Sequence, residues 1–272
     1  MMGFIRWSMG LFAVCFVLSC QAQDFETIRR GAEQGDALSQ CALGTMYATG
    51  QGVTRNDAEA VRWLRLAAEQ GEALSQPFLV MAYSYLGAAY SRGQGVARND
   101  VEAVKWLRLA AEREDADAQA NLALLYATGR GVARNDVEAV RWYSKAAEQG
   151  SVQAQFGFGS MYDKGRGIAQ NDVEAVYWYT KAAEQGHAAA QNNLGAMYAT
   201  GRGVVKSIAE AVKWYAKAAE QGDASAQLNL GVAYAAGQGI ARNKVEAVKW
   251  LRMSAEQGNE DARKVLEAMK KN

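Results

Sequence analysis

The chain has 272 residues, half of them apolar, and 30 Lys and Arg nearly cancel 29 Asp and Glu to leave a formal net charge of +1. Those charges are spread along the whole sequence, which excludes the clustered basic face that nucleic-acid binding demands. A single proline, Pro77, beside 27 glycines at evenly recurring places excludes an ordinary loop-rich domain and predicts many helices joined by tight turns.

In chain order, the first feature is a short positive region at Arg6 followed by an apolar run, Met9–Leu18, of signal-peptide length and too short to span a bilayer. Residues 1–22 therefore read as a signal peptide and 23–272 as the exported chain, periplasmic or secreted. Two processing routes fit. Cleavage after Ala22 would use Cys20 and Ala22 as the small recognition residues. Alternatively, Val17–Cys20 has the form of a lipobox and Cys20 becomes a lipid anchor. Leu18 sits where a smaller residue is usual, which favours simple cleavage. No other segment is long and apolar enough to cross a membrane. Cys15 leaves on either route and Cys41 remains without an internal pair, so stability must come from packing rather than disulfides.

From here on the sequence is periodic. Trp63, Trp106, Trp142, Trp178, Trp214 and Trp250 recur in step with Tyr47, Tyr90, Tyr126, Tyr162, Tyr198 and Tyr234, each tyrosine 16 residues ahead of its tryptophan. From Trp106 onward the period is 36. The unit reads A-x-x-Q-x-x-L-G-x-M-Y-x-x-G-x-G-V-x-x-N-D-x-E-A-V-x-W-x-x-x-A-A-E-Q-G. Its first helix is expected over Ala37–Thr49, with Gln40, Leu43, Gly44 and Tyr47 on one face and Gly50 as the stop. A second helix begins near Asn56, buries Ala60, Trp63, Ala67 and Ala68, and ends at Gly71. Asn56 and Glu59 form a capping-box pattern that recurs through Asn243 and Glu246, with Ser207 as the cap in the fifth unit. Small residues of the Gly44 and Ala60 type are expected where paired helices approach closely.

One hairpin cannot bury both of its faces, so the units must stack. The fold class is all-α: a solenoid of six helix-turn-helix repeats, about 36 residues each, over 37–72, 73–115, 116–151, 152–187, 188–223 and 224–259. A cap helix is expected over 260–271. The second unit is irregular, because the first and second tyrosines are 43 apart. The seven extra residues are expected to lengthen its first helix by nearly two turns within Pro77–Leu86. Glu114 stands where the other units have glycine, which predicts a strained or reshaped turn.

The A-x-x-Q-x-x-L-G-x-M-Y block, the G-x-G-V turn and the A-V-x-W-x-x-x-A-A-E-Q-G block resemble the Sel-1-like repeat of the tetratricopeptide-repeat superfamily, over nearly the whole mature chain. The resemblance implies a right-handed superhelix whose first helices line a concave face used for protein contact, and a bacterial, exported, non-enzymatic scaffold or adaptor of the envelope. The partner-binding groove it implies includes Cys41, Thr45, Ser84, Ala120, Leu124, Phe156, Ser160, Asn192, Ala196, Leu228 and Val232. Phe156, the bulkiest, is the expected hot spot. Such a groove, small and weakly polar, suits an extended peptide or a docked helix. Two alternatives follow from relatives: a slow hydrolase or binder of β-lactam-like, cell-wall-related ligands, or a secreted effector binding host proteins. This chain lacks the cysteine pairs of the β-lactam-binding relatives, which weakens that transfer.

No catalytic, metal or cofactor site emerges from the residues themselves. The G-x-G-V turns follow no strand and precede no Lys-Ser/Thr, so they read as hairpin turns rather than phosphate loops. His187 is the only histidine, which defeats histidine metal clusters and Ser-His-Asp triads. It occupies the turn position of Asp36 and Asp223. Cys41 reads as a quiet free thiol. The chain is expected to be a monomer with a protein partner, without nucleic acid or cofactor.

Overall fold

The structure, a computed structural model, describes residues 25–271; the expected signal peptide, with Cys15 and Cys20, lies outside the described residues. These residues form 14 α-helices and one short 3-10 turn, with no strands among them. The architecture is an all-α solenoid of six repeats. The chain divides into two compact units, one ending at Asn135 and the other starting at Asp136.

The first unit holds α1 (Phe25–Glu33), α2 (Ala37–Thr49), α3 (Asp57–Glu69), α4 (Gln76–Arg92), α5 (Asp100–Ala111) and α6 (Ala116–Thr128). The second holds α7 (Asp136–Glu148), α8 (Val152–Lys164), α9 (Asp172–Glu184), α10 (Ala188–Thr200), α11 (Ile208–Glu220), α12 (Ala224–Ala236), α13 (Lys244–Glu256) and the cap helix α14 (Glu260–Lys271). Within each unit every helix packs against the next in sequence.

Sequence dictates the two turns of each repeat in different ways. First helices end on a left-handed glycine, Gly50 at φ +76° and Gly201 at φ +78° among them, because that conformation costs no steric clash without a Cβ. Second helices start on a polar cap, in most repeats an asparagine whose side chain accepts from two backbone N–H groups, as Asn56 does from Ala58 and Glu59 at 3.1 and 3.2 Å, and in the fifth on Ser207, which accepts from Glu210. The expected capping box is only half formed. The Asn56 N–H already donates to the Tyr47 carbonyl at 2.9 Å, so Glu59 has no reason to reach back. Its carboxylate instead accepts from the Trp63 indole N–H at 3.0 Å, and Glu246 does the same for Trp250. In these two repeats the glutamate holds the tryptophan by its polar edge, whereas the indole N–H groups of Trp106 and Trp178 are buried without a partner.

Close approach within hairpins depends on the small residues as expected. A Cβ at Gly44 would lie 2.7 Å from Leu64, one at Gly195 2.7 Å from Tyr215, and one at Gly231 2.7 Å from Leu251. The volume is filled by Leu43, Ile28 and Trp63 in the first unit, and by Leu194, Tyr179 and Met197 or Leu230, Val212 and Tyr215 in the second.

The second repeat departs from its expected form. Helix α4 has 17 residues against 13 in α2, so it gains about one turn rather than two. The rest of the insertion is absorbed in the 3-10 turn Gly71–Ala73 and in Leu74 and Ser75, with Pro77 in the first turn of α4 where its missing N–H costs nothing. Here Tyr83 replaces the buried glutamine of the other repeats. The Arg113 guanidinium lies 5.4 Å from its ring centre, where a glutamine stands elsewhere. Glu114 is strained as expected: it is the one described non-glycine residue with positive φ, at +67°. Glu114→Gly should raise stability by about 1 kcal/mol, the cost of a side chain in the left-handed region less the added chain entropy, read as a higher urea midpoint at unchanged slope.

Candidate functional site: the face of the first helices

The first helices present one narrow open stripe. In the second unit it runs through Gln153, Gly157, Ser160 and Lys164 on α8, Ala189, Asn193, Ala196 and Thr200 on α10, and Ser225, Asn229, Val232 and Ala236 on α12, all half-buried or exposed. The spacing of four, three and four residues is one face of a helix. Lys164 is the only charge on it. The rest is amide, hydroxyl, methyl and open backbone, a surface that offers hydrogen bonds and shape rather than charged anchors.

Of the residues implied by the sequence, Ser160, Ala196 and Val232 lie on this stripe, with Leu124 on the matching stripe of α6. Phe156, Asn192 and Leu228 sit one residue earlier, at the seam between neighbouring hairpins. The Asn192 side chain accepts from Asn229 across that seam at 3.1 Å. Phe156 stacks on His187 with ring centres 4.5 Å apart and also meets Tyr179. Phe156 is therefore half-buried in ring contacts within its own repeat, beside rather than on the open stripe. In the first unit Ser84 is half-buried on α4, its hydroxyl fully enclosed without a partner.

Three of the implied residues do not reach solvent. Cys41, Thr45 and Ala120 are 1%, 3% and 3% exposed. The Thr45 hydroxyl donates to the Cys41 carbonyl at 2.8 Å and lies 3.8 Å from the Met81 sulfur, so both residues of α2 face α4. Phe78 and Met81 of α4 cover this part of α2, which is the physical reason both residues leave the groove. Burial pushes the Cys41 thiol up to about 12, in keeping with a quiet thiol. The positions that sequence reasoning passed over, Asn121, Gly157, Asn193 and Asn229, follow from counting four residues on from Asp117, Gln153, Ala189 and Ser225.

His187 caps α10: its Nδ1 accepts from the Ala190 N–H at 3.2 Å. Burial lowers its pKa, which keeps the accepting nitrogen free of a proton. It does the capping work of Asp36 and Asp223 by another route. Among the described residues no group of three or more His, Cys, Asp and Glu is placed to hold a metal ion, and no helix is long and apolar enough to cross a membrane.

A second set of contacts joins successive repeats. The arginine inside the G-x-G turn reaches back to the first aspartate of the preceding second helix: Arg130 to Asp100 at 2.8 Å, Arg166 to Asp136 at 2.6 Å, and Arg202 to Asp172 at 2.5 Å. Hydrogen bonds from Arg98 and Arg130 hold the Asp100 carboxyl down at about 2. Where the aspartate becomes Ile208, the arginine position is Gln238.

The repeat identity of these hairpins is decided by six consecutive matches to the Sel1 repeat, over residues 37–72, 80–115, 116–151, 152–187, 188–223 and 224–259. The chain belongs to the Sel1 repeat family. The second match starts at residue 80 rather than 73, leaving the insertion outside it. Among solved structures, the chain is similar to a protective antigen present in uropathogenic Escherichia coli strains that displays this fold, with 36% identity and a TM-score of 0.78, over 94% of this chain and 55% of that one. It thus spans little more than half of that protein's length. It is also similar to a Sel1 repeat protein from Oxalobacter formigenes, with 32% identity and a TM-score of 0.60, over 96% of this chain and 85% of that one. Among curated protein sequences none matches this Sel1 chain. Sel1 repeat proteins generally mediate protein–protein interaction, and homologous scaffolds are typically non-enzymatic.

Proposed function

We propose that this Sel1 protein is an exported adaptor of the bacterial envelope that binds a protein partner along the first-helix stripe. The observation that carries this reading is the stripe itself: three successive first helices in one unit present small, weakly polar positions at the same spacing, with one charge among them. A peptide or helix lying across them would meet repeated amides at Asn193 and Asn229 and low relief at Gly157, Ala189 and Ala196. The apolar run Met9–Leu18 supports export.

The test is crosslinking and mass spectrometry with residues 23–272 as bait in envelope extract of the native organism. One protein should be enriched, with its crosslinks on α8, α10 and α12. It should be lost when Ser225→Arg and Val232→Arg fill the stripe, because both side chains are exposed. Crosslinks confined to the second helices would overturn the face assignment. A partner found only in host extract would favour the secreted-effector reading.

A further inference from the structure

The repeat-to-repeat ion pairs reveal an inverted site at the last repeat. In the first four repeats the second helix begins with an acid: Asp57, Asp100, Asp136 and Asp172. In the sixth, α13 begins with Lys244, and Arg242 stands two residues before it. Arg55 and Arg98 occupy the Arg242 position in earlier repeats and are paired to their aspartates at 2.9 and 2.7 Å. Arg242 and Lys244 are exposed and have no ion-pair partner among the described residues. A lysine at a helix start also works against the partial positive charge there. Helix stability therefore gives no reason for it.

These two cations edge a groove of about 230 Å³ whose remaining walls are Ala235, Val265, Ala268 and Met269. In earlier repeats the following G-x-G turn lies hard against this corner: a Cβ at Gly131 would meet the Asp100 carbonyl at 2.0 Å, and one at Gly203 the Asp172 carbonyl at 2.1 Å. Those corners receive an arginine. The last corner, with its charge reversed and an apolar wall supplied by α14, is built to receive the opposite charge.

We infer that this groove docks an acidic, aliphatic segment of a protein partner, its carboxylates on Arg242 and Lys244 and its aliphatic side chain against Val265 and Met269. Two unpaired cations beside four apolar side chains set both requirements, and charge complementarity selects the acidic class. The site is separate from the first-helix stripe, so either assignment can fail alone.

The test uses the whole exported chain and a synthetic blocked peptide, Gly-Leu-Glu-Asp-Leu-Gly, followed by the Met269 methyl resonance and by anisotropy of the labelled peptide. The acidic peptide should shift the Met269 methyl and bind less tightly as salt rises. Its isostere, with Gln and Asn in place of Glu and Asp, should bind about tenfold more weakly, and so should the acidic peptide to Lys244→Asp. Lys244→Asp restores the helix start of the earlier repeats and should leave the thermal midpoint equal or higher, which separates lost binding from lost folding. Equal binding of the two peptides, unchanged binding to Lys244→Asp, or no Met269 shift would each overturn the proposal. A Met269 shift produced by anionic lipid vesicles and not by the peptide would overturn it in favour of a lipid headgroup. Self-association abolished by Lys244→Asp would overturn it in favour of a second copy.

Discussion

Gly167→Ala should destabilise the second unit by about 3 kcal/mol or more, a large loss for one methyl group. Two costs add. Gly167 has φ +68°, in the region where an ordinary side chain loses about 1–2 kcal/mol. Its new Cβ would also stand 2.2 Å from the Asp136 carbonyl oxygen, a backbone atom at the start of α7 that cannot swing aside. The turn must lift, and Arg166 then loses its seat on Asp136. Two other glycines separate these costs. Gly165 has φ +61° with its nearest prospective contact at 3.2 Å on the Gln170 side chain, and Gly186 has φ +90° with nothing within 4 Å. Alanine at Gly186 should cost only the backbone strain, about 1 kcal/mol, and at Gly165 slightly more. Urea unfolding of the three variants should rank them in that order. Equal midpoints for Gly167→Ala and Gly186→Ala would mean that the turn is not held against the preceding repeat.

The difference between those glycines marks what the sequence discloses and what it conceals. That glycine is favoured at the helix stops is legible from the period, because a stop recurring every 36 residues takes the left-handed conformation, which among the described residues only Glu114 enters with a side chain. Which glycine touches another repeat is not legible, since the contact joins residues about 30 apart in different hairpins. The Arg202–Asp172 bridge is hidden for the same reason. A trace of it exists in the joint change to Ile208 and Gln238, which only a repeat-against-repeat comparison exposes.

The stripe was half legible. Ser160, Ala196 and Val232 are implied by the family resemblance, which puts the residues flanking the L-G-x-M-Y block in the groove, and they lie half-buried or exposed on the first helices. Phe156, Asn192 and Leu228, implied by the same resemblance, lie one residue off the stripe, because a resemblance gives the face but not which of two adjacent residues meets the neighbouring helix. Cys41 and Thr45 failed for a different reason. Cys41 has the seam register of Phe156 and Thr45 the stripe register of Ser160, and Phe78 and Met81 of α4 cover them both.

Gln227→Leu should cost about 1–3 kcal/mol although it adds apolar surface to a fully buried position. Gln227 is 0% exposed, and its amide is used at both ends. Its Nε2 donates to the Ala219 carbonyl at 3.2 Å at the end of α11, and its Oε1 accepts from Gln257 at 2.8 Å after α13. The same link is made by Gln155 with Ala147 and Gln185, and by Gln191 with Ala183 and Gln221. Each glutamine ties the ends of two successive second helices, so leucine would leave a buried carbonyl without its donor. Gln227→Glu separates hydrogen bonding from volume. When protonated, the introduced carboxyl can still donate to Ala219 and accept from Gln257, so at acid pH this variant should approach wild type. Burial beside a carbonyl raises its folded pKa above the unfolded value. Its stability relative to wild type is therefore full below the unfolded pKa and falls as pH rises through the folded pKa. Wild-type protein must be measured at every pH, because Asp100 and Asp172 are held below their ordinary values and lose stability in the opposite direction, on acidification. A Gln227→Glu deficit that stays constant from acid to neutral pH would mean that the amide fills space and ties nothing. A deficit that opens on the way to neutrality would identify the buried glutamines as the polar links that fix the register of one hairpin on the next.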